Sequence, residues 1–370
     1  MKISIITLHR VTNFGSLLQT YATELILKKM GHEVEVIDFV PEGLSFKRAV
    51  WPKNGNVLKK LIKLIPLLIC NAYQFNMSDK FLKNNISLTK KRYKNYNELE
   101  RLNLDGDIYL SGSDQVWNTQ NGNSEEDLGA YYLSFAEGKP KIAYAGSFGR
   151  TDFSSDEKVE MKKRLEKYSS ISVREADGVR IINSLGLNCT HVVDPTFLVS
   201  RKEWTNFYLE NKKSLPKKGY IFVYNLNRNK LIETIAGSVA KKYGLKIINF
   251  ADTFEYIIGA KNKMFNDPYD FIGYIANAEC VITDSFHGTS FSINMERQFV
   301  TVAAPKYNCR IESVLNKMHC EDRLVDNLED ALRILDNKID YSVITPIVEE
   351  QRSKSREFLE KSIDECKCYR

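Results

Sequence analysis

The feature that most constrains the fold is a strand–helix–strand pattern at the N-terminus. The chain begins with a continuous apolar run, KISIITL (2–8), and continues with apolar residues at helical spacing from about Ser16 to Met30. Gly31 stands where a helix is expected to end, and a second strand-like run, HEVEVIDF (32–39), follows it. Since a right-handed crossover joins two such strands side by side, the pattern predicts a parallel sheet.

The alternation of strands and helices continues, and most of the strands end in small or polar turns. In the first half the strand-like runs are DIYLSGSDQVW (107–117), PKIAYAGSFG (140–149), ISVRE (171–175) and HVVDPTFLV (191–199). In the second half they are GYIFVYNL (219–226), LKIINF (245–250), ECVIT (279–283) and QFVTVA (298–303). Helical patterns separate these runs, so the predicted fold class is α/β, with two similar α/β halves and a cleft between them.

The domain boundary is expected in a polar stretch, 200–218, that shows little periodicity. The first domain is therefore predicted over 1–205 and the second over 216–345. A charged helix over 346–370 follows, and packing back onto the first domain is one option for it. A length of 370 residues fits two domains.

The composition is that of a soluble globular protein, with 43% apolar and 27% charged residues. No signal peptide is recognisable, and the longest apolar stretch, LIKLIPLLIC (61–70), is interrupted by Lys63 and Pro66. The seven cysteines are scattered and odd in number, as in a reduced, cytoplasmic protein.

Most of the positive charge lies in one segment. Between Lys47 and Lys94 there are twelve Lys or Arg residues and one acid, Asp79, while the whole chain carries a net charge of +6. A uniformly basic nucleic-acid binder is therefore excluded. Apolar residues at 57–65 lie opposite lysines at helical spacing, which fits a peripheral membrane contact or a core-facing helix with a solvated basic face.

Two strand ends in the first half are candidates for sugar or anion binding. Asn13 and Gly15 follow the first strand, where backbone N–H groups could meet a ligand, or where Asn13 simply caps a helix. The second candidate combines polar side chains with an aromatic ring, which can hold a sugar or form a packed turn. It comprises Ser113, Asp114, Gln115 and Trp117.

Two further candidates are charged or titratable. Arg174 directly follows an apolar strand, where its guanidinium either pairs with Glu175 or Asp177 or binds an anionic ligand. His287 lies in ITDSFHGTSF (282–291), between a strand and a helix, where it acts as an acid, a base or an anion contact, or else only packs. The histidines show no metal-ligand spacing, so no metal site is expected.

Seven of these stretches in order resemble the polysaccharide pyruvyl transferase family. They are NFGSLLQTYA, SGSDQVWN, YAGSFG, SVREADG, VVDPTFL, CVITDSFHGTSFSINM and NCRIESVL, and they span residue 1 to about 325. The resemblance implies two Rossmann-type domains of the glycosyltransferase-B kind. It also implies an enzyme of surface-polysaccharide biosynthesis, of the capsule or exopolysaccharide type.

The resemblance further implies a reaction. Phosphoenolpyruvate, a substrate rather than a cofactor, would give its enolpyruvyl group to two hydroxyls of a lipid-linked or free oligosaccharide, forming a pyruvate ketal and releasing phosphate. His287 falls on the acid or phosphate contact, and Arg174 on a donor-binding arginine. Ser285, Gly288 and Arg310 complete the implied donor side, and the strand ends at 13–15 and 113–117 the acceptor side.

One position departs from the family pattern. Where better-studied members have Arg-x-His, this chain has Ser285-Phe-His287. Arg310 and Lys306 are candidates to replace the missing cation, and a different donor or acceptor is another option. A nucleotide-sugar-dependent glycosyltransferase and a non-catalytic glycan-binding relative are the alternative functions. A lipid-linked acceptor would place the protein at the inner membrane face.

Overall fold

The computed structural model describes residues 1–41, 57–119, 124–212, 214–250, 256–303 and 308–367, with only the backbone described for 57–67. The chain divides into two compact units. The first combines residues 1–198 with 351–370, and the second comprises residues 199–350.

The first unit has a six-stranded parallel sheet with the strand order β2-β1-β3-β4-β5-β6. Its strands are β1 (Lys2–Ile6), β2 (Glu33–Val36), β3 (Ile108–Ser111), β4 (Lys141–Gly146), β5 (Ser170–Val173) and β6 (Thr190–His191). Its helices are α1 (Phe14–Lys29), α2 (Val57–Asn85), α3 (Tyr96–Leu99), α4 (Glu125–Tyr131), α5 (Ser155–Leu165), α6 (Ala176–Ser184) and α7 (Pro195–Leu198).

The second unit has its own six-stranded parallel sheet, with the order β12-β11-β10-β7-β8-β9. Its strands are β7 (Tyr220–Tyr224), β8 (Lys246–Phe250), β9 (Lys261–Lys263), β10 (Cys280–Thr283), β11 (Gln298–Val302) and β12 (Leu324–Val325). Its helices are α8 (Arg201–Asn211), α9 (Lys230–Tyr243), α10 (Pro268–Ala276), α11 (Phe286–Asn294), α12 (Cys309–Lys317) and α13 (Leu328–Asp336).

The last helix, α14 (Tyr341–Lys367), begins in the second unit and ends in the first. Within the first unit its later turns are held by hydrogen bonds to the chain around α7. Ser355 Oγ accepts from the backbone N–H of Val193 at 3.0 Å, and Arg356 donates to the carbonyl of Leu198 at 2.6 Å.

Each sheet has one point where the direction of strand addition reverses. In the first sheet this point lies between β1 and β3, and in the second it lies between β7 and β10. The paired strands end level with each other, because Ile6 aligns with Ser111 and Tyr224 with Thr283. Ligands of open α/β sheets bind at the carboxyl ends of strands at such points, so the loops that follow these four strands are where a site is expected.

The predicted organisation is wrong in two local details. The stretch 200–218 contains the eleven-residue helix α8, which begins with a capping box between Ser200 and Glu203. The run HVVDPTFLV (191–199) contributes only His191 to the two-residue strand β6, and α7 follows at Pro195. The second unit therefore starts at Val199, and its helix α8 packs Trp204 against Phe291 of α11 with ring centroids 5.2 Å apart.

The basic segment is described only in part. Residues 42–56 and the side chains of 57–67 lie outside the described residues, and so does the predicted apolar face at 57–65. Among the described residues, Lys83 pairs with Asp79 at 2.7 Å, and Arg92 pairs with Asp38 at 3.0 Å and with Asp79 at 3.3 Å. Carboxylates of the first unit therefore pair with part of the positive charge.

An ion-pair network fixes the loop after β1 against β2 and α2. The His9 ring lies 3.1 Å from a carboxylate oxygen of Asp38 and 3.0 Å from the carbonyl of Thr7. Arg10 donates to the other Asp38 oxygen at 2.9 Å and also pairs with Asp79. Burial raises the pKa of Asp38, but the hydrogen bonds from His9 and Arg10 outweigh that effect and the pKa lies well below its usual range.

We expect Asp38 to make stability depend on pH in the acid range. Because its folded-state pKa lies below the unfolded value of about 3.9, the ionised carboxylate stabilises the protein above that pH, and the contribution is lost as pH falls. Asp38→Asn leaves the largely buried guanidinium of Arg10 without one of its two carboxylates, so the free energy of unfolding should drop by about 3 kcal/mol at pH 7.

Urea unfolding between pH 7 and pH 2 checks this expectation. The difference in the free energy of unfolding between Asp38→Asn and the wild-type protein should become smaller as the wild-type carboxylate becomes protonated. Asp340→Asn, which removes a carboxylate that accepts from nearby Ser342, is the control and should change stability far less. A gap that stays constant down to pH 2 would contradict the proposed role of the ionised Asp38.

A close helix contact holds α8 in the second unit. Gly273 of α10 faces the ring of Tyr208, and a Cβ at this position would lie 2.2 Å from Tyr208 Cε2. The Tyr208 hydroxyl donates to the carbonyl of Ser214 at 2.9 Å, which keeps the buried ring in place. Only glycine therefore fits at position 273.

Gly273→Ala should destabilise the second unit by about 1–3 kcal/mol, because the added methyl group overpacks the contact with Tyr208. Gly237→Ala in α9 is the matched control, since a Cβ there meets nothing within 4 Å. That substitution should leave stability equal or raise it by about 0.5–1 kcal/mol, because alanine favours helix. Thermal unfolding of both variants measures the difference, and equal melting temperatures would contradict the predicted overpacking.

Candidate active site

A buried arginine organises the carboxyl edge of the first sheet. Arg174 follows β5, and its side chain is fully buried. Its guanidinium donates to Asp194 at 2.7 Å, to Glu175 at 3.1 Å, to Asp114 at 3.2 Å and to Ser113 Oγ at 3.3 Å. We call these five residues the Arg174 cluster. It joins the ends of β3, β5 and β6 to the start of α6.

The structure decides between the two pairings expected for Arg174. Glu175 is a partner, whereas Asp177 pairs with Arg180 on the exposed side of α6. Burial alone would lower the pKa of Arg174, but the nearby carboxylates, with Glu175 the strongest, raise it above its ordinary value. The guanidinium therefore stays charged and is surrounded by acceptors from the protein itself.

Asp114 is held in an unusual backbone conformation. Its φ is +80°, in the left-handed region that most residues other than glycine avoid. One carboxylate oxygen accepts from Arg174 and from the N–H of Gln115 at 2.9 Å, and the other accepts from Ser16 Oγ at the start of α1. The two loops at the first reversal point are thus joined through one carboxylate. Such strain often marks a functional position.

Asn13 has the capping role. Its side chain accepts from the N–H of Gly15 at 2.8 Å and begins α1. Gly15 is buried and opens the same helix. Both residues lie at the first reversal point, next to Ser16 and hence to Asp114.

Trp117 is a packing residue in this structure. The side chain is fully buried, stacks on Tyr132 at 5.5 Å and contacts Phe148 at 5.0 Å. A Cβ on Gly146 would lie 2.7 Å from the indole, so the strand is also pressed against the ring. No face remains for a sugar, which corrects the stacking interpretation of Trp117. Gln115 stays half-buried and accepts from Asn118.

The second reversal point is shaped by the turn between β10 and α11. Ser285 caps the helix, with Oγ 3.3 Å from the N–H of Gly288. Thr283 Oγ1 accepts from the N–H of Ser285 at 3.0 Å and donates to the carbonyl of Tyr224 at 2.7 Å. A Cβ on Gly288 would lie 2.5 Å from that Thr283 oxygen. Glycine is therefore required for the helix to start this close to the strand.

His287 lies in the first turn of α11 and is 3% exposed. Its ring makes an edge contact with Phe286, with centroids 5.1 Å apart. The guanidinium of Arg310, at the start of α12, lies 6.0 Å from the centroid of the same Phe286 ring. The structure thus places two predicted residues, His287 and Arg310, near the same aromatic ring. Lys306 lies outside the described residues.

Asp284 is a residue that the sequence analysis missed. Its buried carboxylate accepts from the N–H of Leu226 at 2.7 Å and of Asn227 at 2.9 Å, which fastens the loop after β7 to the end of β10. Burial raises the pKa of Asp284 although these hydrogen bonds oppose the shift. The only signal was an aspartate directly after an apolar strand, a feature shared by Asp194, which was missed for the same reason.

Arg174→Ala should destabilise the first unit, because three buried carboxylates would face one another without a cation. We expect a loss of about 3–5 kcal/mol in the free energy of unfolding, measured by urea denaturation. Arg174→Lys should recover part of it, since lysine restores the charge but not the fork of donors. Arg180→Ala, which removes an exposed arginine, should cost about 1 kcal/mol or less. Equal stability of the two alanine variants would contradict the organising role.

Comparison of this chain with solved structures shows the same fold in proteins of very low sequence identity. Putative UDP-N-acetylglucosamine 2-epimerase from Listeria monocytogenes matches with a TM-score of 0.56 at 12% identity, covering 96% of this chain and 90% of that chain. UDP-GlcNAc 2-epimerase from Neisseria meningitidis, bound to UDP-GlcNAc, matches with a TM-score of 0.53 at 9% identity, covering 99% and 100%. These likenesses confirm the predicted class of two Rossmann-like α/β domains of the glycosyltransferase-B kind.

Two other findings bear on the identity of the chain. No curated protein sequence matches it. Within the described part of the chain, none of the helices combines the length and apolar character that a membrane crossing requires.

A family model does match, over residues 13–304, and its description is polysaccharide pyruvyl transferase. The matched range contains both reversal points, from Asn13 through the Arg174 cluster to the turn that carries His287. This confirms the resemblance seen in the sequence motifs and indicates a transferase whose acceptor is a polysaccharide. The chain belongs to the polysaccharide pyruvyl transferase family.

Proposed function

We propose that this transferase takes the enolpyruvyl group of phosphoenolpyruvate and forms a pyruvate ketal on a sugar of a surface-polysaccharide repeat unit. The observation that supports this most is the family match over residues 13–304, which includes every strand-end residue of the proposed site except Arg310. The acceptor is a free or lipid-linked oligosaccharide. A lipid-linked acceptor would be met at the inner face of the membrane, with residues 47–94 as the proposed contact.

The chemistry needs an acid, a base and cations. Protonation of donor C3 makes C2 electrophilic, one acceptor hydroxyl adds to C2, the C2–O bond to phosphate breaks, and the second hydroxyl closes the ketal. The two acceptor hydroxyls release two protons. One compensates for the proton that C3 takes up to become a methyl group, and the other leaves with phosphate. General acids and bases of this kind contribute about 10²- to 10⁴-fold to the rate.

On the donor side we assign the acid to His287. It lies at the reversal point of the second sheet and in the first turn of α11, where the helix N-terminus favours an anionic ligand. Arg310 is the proposed cation for the phosphate or carboxylate. Ser285 and Gly288 contribute by shaping the turn, through the cap and through the close approach to Thr283.

On the acceptor side we assign sugar contacts to Ser113, Asp114 and Gln115 and to the start of α1 at Asn13 and Gly15. Asp114 is the proposed base for an acceptor hydroxyl. The resemblance gives Arg174 to the donor. Its four protein acceptors instead support a role in positioning Asp114. Trp117 is left out because its ring is enclosed in the core.

A nucleotide-sugar-dependent glycosyltransferase is the second candidate function. One observation favours it, since the solved structures with the same fold include UDP-GlcNAc 2-epimerases, two of them in complex with UDP-GlcNAc. Thermal shift measurements with phosphoenolpyruvate, UDP and UDP-GlcNAc separate the two, because a ligand that binds the native state raises the melting temperature. Stabilisation by UDP-GlcNAc and not by phosphoenolpyruvate would favour the second candidate.

His287→Ala should retain most of the donor-induced thermal shift but release phosphate at least 100-fold more slowly, because the acid is lost while the other donor contacts remain. Phosphate release is measured with phosphoenolpyruvate and an oligosaccharide acceptor fraction. His319→Asn, at an exposed position of the second unit, is the control and should turn over at the wild-type rate. Wild-type turnover by His287→Ala would refute the assignment of His287 as the acid.

A further inference from the structure

The loop after β7, residues 225–229, has an unexpected backbone conformation. Arg228 in this loop is exposed and has a φ of +57°, in the left-handed region where glycine and asparagine are favoured and arginine is not. The neighbouring residues Asn227 and Asn229 could adopt this conformation more easily. The strain therefore falls on the one residue of the loop that carries a guanidinium.

The surrounding hydrogen bonds hold the loop in this conformation. Asp284 accepts from the N–H groups of Leu226 and Asn227 on one side of Arg228. Asn225 and Asn229 bind each other twice, through Asn229 N–H at 2.9 Å and through the Asn229 carbonyl at 3.1 Å. Asn229 also donates to the carbonyl of Ala303, just after β11, at 3.3 Å. The loop is thus fastened to the ends of two neighbouring strands.

The loop that carries Arg228 lies where a ligand of the second sheet is expected to bind. The loops after β7 and β10 flank the reversal point, and the hydrogen bonds that Asp284 accepts from Leu226 and Asn227 join the two loops. A donor with phosphate and carboxylate groups would bind here close to the Asp284 carboxylate, so cations are needed to offset the repulsion. Ser285 supplies no charge, and Arg310, whose guanidinium lies 6.0 Å from the centroid of the Phe286 ring, is one cation for a donor with two anionic groups.

We propose that Arg228 is a binding residue for the phosphate or carboxylate of the donor, presented by a loop that Asp284 and Asn229 hold in place. The inference rests on the proposed function, in that it requires the second unit to bind a phosphorylated donor. A planar fork of N–H groups suits both kinds of anion, and a loop fixed before binding loses little entropy when the ligand arrives.

The strained backbone allows a test in which stability and binding move in opposite directions. Arg228→Gly keeps the left-handed conformation and removes the side chain. Its melting temperature should equal or exceed that of the wild-type protein, while its Kd for phosphoenolpyruvate should rise at least ten-fold. Arg228→Lys should lie between the two in affinity, because it keeps the charge but not the fork.

His319→Gly is the matched control, since His319 also has a positive φ, of +54°, and is exposed in the second unit. This substitution should remove the backbone strain in the same way without changing the Kd for phosphoenolpyruvate. Isothermal titration at constant ionic strength, with phosphoenolpyruvate, UDP and inorganic phosphate as ligands, measures all four proteins.

The outcomes separate this inference from the proposed function. If wild-type protein binds phosphoenolpyruvate and Arg228→Gly binds it equally well, the role of Arg228 is refuted and the proposed function stands. If UDP is the ligand that binds, and Arg228→Gly weakens it, the proposed function fails and Arg228 remains a phosphate contact. If none of the three ligands binds the wild-type protein, both proposals fail.

Discussion

The carboxyl edge of the first sheet depends on the ion pairs that the Arg174 guanidinium makes with three carboxylates. Parallel strands bring the polar residues that follow them to a single edge, and here that places three carboxylates within reach of one another. Carboxylates buried together repel unless a cation lies among them. The donors of Arg174 reach the residues that follow β3 and β6 at the same time. The guanidinium therefore offsets the repulsion between the carboxylates, links the two strand ends and fixes the strained backbone of Asp114.

Among the residues that the structure describes, the second sheet holds its buried aspartate without an ion pair. Its buried aspartate, Asp284, is stabilised by backbone N–H groups of the loop after β7, and the helix that follows is capped by Ser285. We propose that the positive charge on this edge comes from Arg228, in the loop after β7, and from Arg310, at the start of α12. Fixed charges and dipoles of this kind are suited to catalysis because they need little reorganisation during the reaction.

The repeated strand pattern predicted most of the parallel strands and the fold class, since continuous apolar runs of this length are typical of strands buried on both faces. It missed α8, although the Ser200-x-x-Glu203 capping box was present, because the lysines that follow resemble a linker. It also left Trp117 open between stacking and packing. A single sequence cannot show that Tyr132 and Phe148 enclose that ring, because burial depends on residues distant in the chain.

The sequence by itself determined the α/β class, the family, and the placement of His287 and Arg174 at strand ends, because periodicity and motif order are local properties that tertiary contacts rarely change. The tertiary structure decided what those residues meet. It gave Arg174 the partners Asp114 and Asp194, 60 and 20 residues away in the chain, and it joined Asp284 to a loop 57 residues earlier. Strand order sets such pairings, and strand order arises only when the whole sheet has formed.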